Sequence, residues 1–327
     1  MKMLKRLLLA FLLIPAIGYS QQADTLIKKL DSLGLKADTS KVGQINNTNE
    51  EAYEGVKLDF KDYFLLLGND FKQQATLPFR INGKEWLKFG GFALATGVLS
   101  LTNKPVNRFA VNLRENNKGV ANVSKFITNF GGTYEIYTLA GFFAYGLIFN
   151  TQKEKTTTAL ATQAYLTAGA VQVLTKFISG EQRPNYIDPL TGKNGPIFHG
   201  PFYRFKKDAH GNKVDRSAYS SFPSGHTTAA FAAATVYAME YKNHGLIPIL
   251  SYSAATLIGL SRLTENKHWS SDIFVGAVLG YLSGRQVVNN YHRFSKIKQP
   301  GKPGPKDISF NLQYSSGHIM PGLVYTF

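Results

Sequence analysis

Two histidines, three cations, one serine, one glycine and one aspartate fall into three short blocks in the last half of this chain. The blocks are KFISGEQRP (176–184), PSGH (223–226) and SRLTENKHWSSD (261–272). These residue types suit the handling of a phosphate. Cations and free backbone amides hold its oxygens, a histidine attacks or moves protons, and a carboxylate orients the ring. With no cysteine anywhere, thiol catalysis and disulfides are excluded. The set points to phosphoryl transfer through histidine without a metal.

Each block taken alone has an ordinary explanation. Lys176 and Arg183 stand seven residues apart, about two helical turns, so both can face one point. Ser179–Gly180 should end that helix and Pro184 should prevent its resumption. Lysine and arginine at a helix end are more often solvated than functional. Ser224 and Gly225 stand where a helix should begin, with free amides that attract anions, and His226 lies in the first turn. Ser224 could equally be a plain N-cap. Arg262 closes another apolar stretch, and Asp272 follows His268 by four residues, within reach of its imidazole if a helix starts nearby. Three blocks, each at an expected helix end, are much harder to explain blandly.

The elements that must position them are helical. Six apolar stretches, about 86–102, 134–150, 157–178, 226–242, 245–263 and 272–288, are dotted with Gly, Ala and Ser, which suits close packing. None offers 20 clean apolar residues, and the mean hydropathy of −0.14 is low for a chain that crosses a bilayer repeatedly. A segment over 58–80 carries Phe60, Phe64, Leu67 and Phe71 at helical spacing, reading as an amphipathic helix laid on the body of the domain or on a membrane. The 185–222 insert is long, aromatic and basic, either a loop folded on itself or a lid that selects substrate. After the basic, Pro/Gly-rich stretch 293–306, alternation through Ile308, Phe310, Leu312 and Tyr314 and again through Leu323, Tyr325 and Phe327 predicts a β-hairpin.

Composition narrows the partners. Hydrophobic residues make up 44% of the 327, enough for a core, and the net charge of +16 favours anionic partners. No zinc-finger spacing, RNP-like block or heptad zipper accompanies that charge, so nucleic acid is set aside. Residues 1–20 read as a secretory signal: Lys2, Lys5 and Arg6 precede the apolar run Leu7 to Ile14, and small Gly18 and Ser20 stand before Gln21. Residues 21–56 form a polar leader. His199, His210, His244, His292 and His318 are scattered and read as surface residues.

Lys-x6-Arg-Pro, then Pro-Ser-Gly-His, then Ser-Arg-x5-His-x3-Asp resembles the motif set of the phosphatidic acid phosphatase type 2 (PAP2) and vanadium haloperoxidase superfamily. Lys176, Arg183, Pro184, Pro223, Ser224, Gly225, His226, Ser261, Arg262, His268 and Asp272 fit every position, and the resemblance covers about 85–290. It implies an all-α, six-helix, membrane-associated PAP2-type bundle, here with a short C-terminal β-hairpin. It also implies that His268 is the nucleophile and Asp272 its orienter, with His226 as acid and then base. Lys176, Arg183, Ser224, Gly225 and Arg262 would bind phosphate, with no cofactor or metal. The substrate class is a phosphorylated lipid or small phosphate ester at an anionic membrane surface. Alternatives are a soluble periplasmic acid phosphatase, a vanadium haloperoxidase, or a non-catalytic phospholipid-binding envelope protein.

Topology adds a tension. If the signal crosses inside to outside and all six stretches then span, the site lies on the cytoplasmic side and the basic stretch 293–306 faces outward, against the positive-inside tendency. The expectation is therefore export to the envelope, an external site and incomplete or absent spanning.

Overall fold

The computed structural model describes residues 58–80, 82–131, 133–149, 151–207, 210–298 and two strands, 307–315 and 318–326. The expected signal, the leader as far as residue 57 and the stretch 299–306 lie outside the described residues. The fold is mostly helical. In chain order the helices are α1 (Phe60–Thr76), α2 (Gly83–Leu101), α3 (Asn103–Glu115), α4 (Lys118–Thr128), α5 (Thr133–Ile148), α6 (Gln152–Ser179), α7 (Gly225–Glu240), α8 (Leu246–Thr264) and α9 (Ser270–Lys298). Strands β1 (Asp307–Ser315) and β2 (His318–Thr326) pair antiparallel, with Asp307 opposite Thr326.

Nine α-helices among the described residues replace the six expected. Six of them overlap the apolar stretches. Of the other three, α1 corresponds to the amphipathic helix expected over 58–80, whereas α3 and α4 were invisible to a search for apolar runs because their fully buried residues are few and small or polar. On α3 the buried residues are Asn103 and Ala110, and on α4 Ser124. The apolar side chains Phe109, Val123 and Phe126 of these two helices point outward.

Helix α1 is inverted in the same way, which corrects the expectation of an apolar face laid on the body. Asp62, Leu66, Asn69 and Asp70 are buried, while Phe60 and Phe64 are exposed. Fully buried Asp70 accepts hydrogen bonds from Gln163 of α6 and from Gln286 (3.3 Å) and Asn290 (2.5 Å) of α9. A carboxylate so surrounded by amide donors is satisfied without water. It ties α1 to two core helices.

At the centre α7 packs on α6, α8 and α9. Its buried residues are Thr, Ala and Val alone, so neighbours approach closely. Against it α9 sets a glycine every fourth residue. A Cβ on Gly276 would stand 2.8 Å from the Ser224 carbonyl, one on Gly284 2.6 Å from that of Ala232, and one on Gly280 would collide with that of Thr228. Ser224, Thr228 and Ala232 are themselves four apart, so two small-residue stripes touch backbone to backbone. The contact is continued by the Ser224 amide donating to the Asp272 carbonyl at 3.0 Å. This crossing brings the second and third sequence blocks together.

Candidate active site

Helix α6 ends at Ser179 because Gly180 adopts φ +53°, where a Cβ would collide with the Gly200 carbonyl. The chain then turns back, and the Lys176 ammonium donates to the Ser220 carbonyl at 2.5 Å. Arg183 donates from Nε to the Ser217 carbonyl at 2.8 Å, and its Nη1 lies 3.5 Å from the Lys267 carbonyl. Arg262, in the last turn of α8, bonds through Nη1 to Glu265 at 2.7 Å and to Thr128 at 3.0 Å, while its buried Nε has no partner. All three cations lie within electrostatic reach of His226, and Lys176 and Arg183 within reach of His268. The first, second and third blocks therefore meet at one place.

Ser224 is the residue before α7, yet its hydroxyl makes no capping bond. Instead it accepts from the Thr227 hydroxyl at 2.9 Å, which leaves its own hydrogen to donate elsewhere. His226, in the first turn of α7, packs on Gly131, where a Cβ would stand 3.1 Å from that of His226 and 2.5 Å from the Ile258 methyl.

His268 is buried, with Nδ1 3.4 Å from Asp272 Oδ2. With Nδ1 turned to the carboxylate, Nε2 is the nitrogen whose lone pair is left for chemistry. Burial pushes the imidazole down to about 3, against the upward pull of Asp272, so the ring is neutral at ordinary pH. Asp272 is fixed in turn: Oδ2 accepts from the Ser221 hydroxyl at 2.5 Å and the Trp269 amide at 2.9 Å. The Trp269 indole is buried and donates to the Gln182 carbonyl at 2.8 Å, joining the third block to the first.

Several of these supports escaped sequence reasoning. Asn103 accepts from the Ser271 amide (3.1 Å) and the Ser270 hydroxyl (2.7 Å), and so caps α9 two residues before Asp272. Thr128 holds Arg262, and Gly131 makes room for His226. They sit on or just after the short helices that apolar patterning missed. Only Glu265, three residues after Arg262, left a local signal. His199 and His292, expected on the surface, are partly buried and partnered. His199 stacks on Tyr203 and meets Gln182 at 3.2 Å, and His292 meets Glu240 at 2.9 Å.

The insert is a built structure organised by Asp188. This buried carboxylate accepts from the hydroxyls of Tyr203 (2.6 Å), Tyr219 (2.7 Å) and Thr191 (2.7 Å). Phe177, beside Lys176, packs edge-on against Phe202 and Phe205, which flank Arg204. Arg204 thereby lies within electrostatic reach of Lys176.

Residues 157–296 match the family model of the PAP2 superfamily. That interval contains every block described above. The PAP2 match is accompanied by relatives over shorter stretches. A lipid A 1-phosphatase of Porphyromonas gingivalis is 42% identical over 73 residues, covering 22% of this chain and 16% of the relative. A probable lipid phosphate phosphatase 4 of Arabidopsis thaliana is 33% identical over 119 residues, covering 31% of this chain and 36% of the relative. The chain thus spans well under half the length of these curated relatives. Among solved structures, Aquifex aeolicus LpxE aligns with a TM-score of 0.41 at 23% identity, covering 57% of this chain and 94% of that one. A PAP2-type phosphatidylglycerolphosphate phosphatase from Bacillus subtilis aligns at 0.40 and 19%, covering 61% and 92%.

Proposed function

We propose that this chain is a membrane-associated PAP2-type phosphatase that hydrolyses a lipid phosphomonoester or diphosphate through a phosphohistidine at His268. The observation that carries this reading is the convergence of Lys176, Arg183, Arg262, His226 and His268 on one site, with buried Asp272 behind the His268 ring. His268 Nε2 attacks phosphorus while His226 donates a proton to the departing oxygen. His226 then takes a proton from water, which attacks the phosphohistidine, releasing phosphate and restoring His268. The three cations, the Ser224 hydroxyl and the Gly225 amide hold the phosphoryl oxygens and offset their growing charge.

A lipid substrate is favoured by the exterior of the bundle. Helix α2 buries no residue, and its Leu87, Leu94 and Leu101 are more than two-thirds exposed. Polar faces inward and phenylalanines outward on α1, α3 and α4 suit a lipid surround. Helix α8 is long and apolar enough to cross a membrane, the one such helix among the described residues. Exposed Phe198, Phe202 and Phe205 on the insert would lie at the headgroup level beside the site, with Arg204 as a further contact for an anionic group. We place the enzyme in the cell envelope with the site external.

The test is phosphate release by purified protein from phosphatidic acid, phosphatidylglycerophosphate, undecaprenyl diphosphate, a lipid A phosphate and a soluble phosphomonoester. Turnover of a lipid, abolished in His268→Ala, blocked by vanadate and indifferent to chelator, is expected. Undiminished turnover by His268→Ala refutes the mechanism. Preference for the soluble ester refutes the lipid assignment.

A further inference from the structure

Glu181 follows the left-handed Gly180 and is fully buried. Neither of its carboxyl oxygens receives an N–H or O–H from the protein, and the same holds for Asp272 Oδ1. Ser221 brings the two residues together, its amide donating to the Glu181 carbonyl at 3.0 Å and its hydroxyl to Asp272 Oδ2 at 2.5 Å, and the two buried carboxyl groups act on each other. Two neighbouring ionised carboxylates away from water repel strongly, and one proton between them gives the unpartnered oxygens a partner. Its location follows from the donors. Asp272 Oδ2 accepts from Ser221 and the Trp269 amide and faces His268, all of which favour its anion. Glu181 has no such support. Burial and then the Asp272 charge push its carboxyl well above the ordinary range, and the opposing pull of Lys176 is the smallest of these effects.

We infer that Glu181 is a neutral, protonated acid whose O–H donates to Asp272 Oδ1, and that it is a positioning residue for the Asp272–His268 pair. The consequence for catalysis rests on the phosphohistidine reading above. The shared proton fixes the plane of the Asp272 carboxylate so that Oδ2 addresses His268 Nδ1. The Glu181 carbonyl also accepts from the Ser221 amide at 3.0 Å, so Glu181, Ser221 and Asp272 close a ring of bonds behind the histidine. Loss of the proton at high pH leaves two anions in contact, with Lys176 of α6 and the Arg183 guanidinium as the cations that face them. Asp272 then turns from His268.

The decisive experiment is infrared difference spectroscopy of the full chain in detergent at neutral pH. Wild type should show a protonated-carboxyl stretch that shifts in heavy water and is absent from Glu181→Gln. Absence of that band in wild type, or its persistence in Glu181→Gln, overturns the proton assignment whether or not the chain is a phosphatase. Kinetics test the positioning role separately. Glu181→Ala, which strands Asp272 Oδ1, should lower kcat by about tenfold with KM unchanged. Glu181→Gln, whose amide can still donate, should recover most of that loss. Equal kcat for Ala and Gln refutes positioning.

Discussion

Replacing Asp272 by Asn separates the charge of the carboxylate from its role as an acceptor. An asparagine here must choose which atom faces His268, and the neighbours decide. The Ser221 hydroxyl and the Trp269 amide both donate to the Oδ2 position, at 2.5 and 2.9 Å. An amide NH2 placed there would oppose two donors, so the oxygen stays at that position and the nitrogen turns to Glu181. His268 Nδ1 therefore still meets an acceptor, and its tautomer is kept. What is lost is charge. At the 3.4 Å separation of Nδ1 and Oδ2, unit charges interact by about 5 kcal/mol at an effective dielectric of 20. If roughly half the imidazolium charge has developed in the transition state, the loss is about 2.5 kcal/mol, or about 70-fold in kcat. The assay is single-turnover phosphate release under saturating substrate, with trapping of the phosphohistidine. A tautomer reversal costs on the order of 10⁴-fold in a Ser-His-Asp enzyme. A loss of that size here would refute the claim that Ser221 and Trp269 dictate the amide's orientation.

Further outcomes follow from the same geometry. Gly280→Ala drives a Cβ into the Thr228 carbonyl and forces α7 from α9, with a displacement of on the order of 1 Å at Ser224 expected to lower kcat by about 100-fold. Gly91→Ala, which meets nothing within 4 Å, should leave kcat unchanged in the same assay. Trp269→Phe removes the indole bond to Gln182 and leaves a small cavity, a destabilisation of about 2 kcal/mol readable by thermal unfolding in detergent. Because burial holds His268 down to about 3, its imidazole should stay neutral by isotope-edited NMR as pH falls through its ordinary value, with protonation only near pH 3. The raised Glu181 carboxyl means the folded chain keeps a proton that the unfolded chain releases. Its own contribution to stability should fall by up to ~1.4 kcal/mol per pH unit as pH rises from the ordinary carboxyl value, read as the difference in slope between wild type and Glu181→Gln.

What the sequence made legible depended on which face of each helix was apolar. The six stretches with long apolar runs could be placed to within about five residues, with one exception. Helix α9 does not end at 288 but runs on to Lys298, into the stretch expected to be a basic linker, and that part was missed because its last turns are polar and basic. Helices α3 and α4 carry Phe109, Val123 and Phe126 outward and bury Asn103, Ala110 and Ser124, so a search for a buried hydrophobic stripe passed over them. With them went Asn103 and Thr128, which cap α9 and hold Arg262. The residues proposed to react could be picked out because their types are chemically unusual at helix ends. Their supports could not, because a capping asparagine or an accommodating glycine looks the same in any sequence until distant segments are brought together. Glu181 lay in plain sight between Lys176 and Arg183. An acid there would ordinarily be read as a partner for those cations. Only its burial against Asp272 gives it another role.

The burial of His268 bears on how the proposed lipid substrate reaches it. A site whose imidazole is only 1% exposed cannot be reached from bulk water alone without movement or a fitted entrance. The insert is tied to the turn that carries His268 through Gln182. Trp269 binds the Gln182 carbonyl, and the Gln182 side chain donates to the carbonyls of Tyr186 and Lys193, both at 2.8 Å. Trp269 also belongs to the turn that carries His268, so the insert and the proposed nucleophile are joined through one buried side chain. Phe177 does the same at the other edge, joining the turn around Arg204 to the helix end that carries Lys176. On the proposed reading, the insert and the phosphate site beneath it are linked through buried Trp269 and through Phe177, whose partners Phe202 and Phe205 are exposed. Phe177→Ala should raise KM for a lipid by several-fold, as expected when uniform binding is lost, while leaving kcat for a small soluble ester little changed. Equal effects on both substrates would mean that the insert braces the site without contacting the lipid.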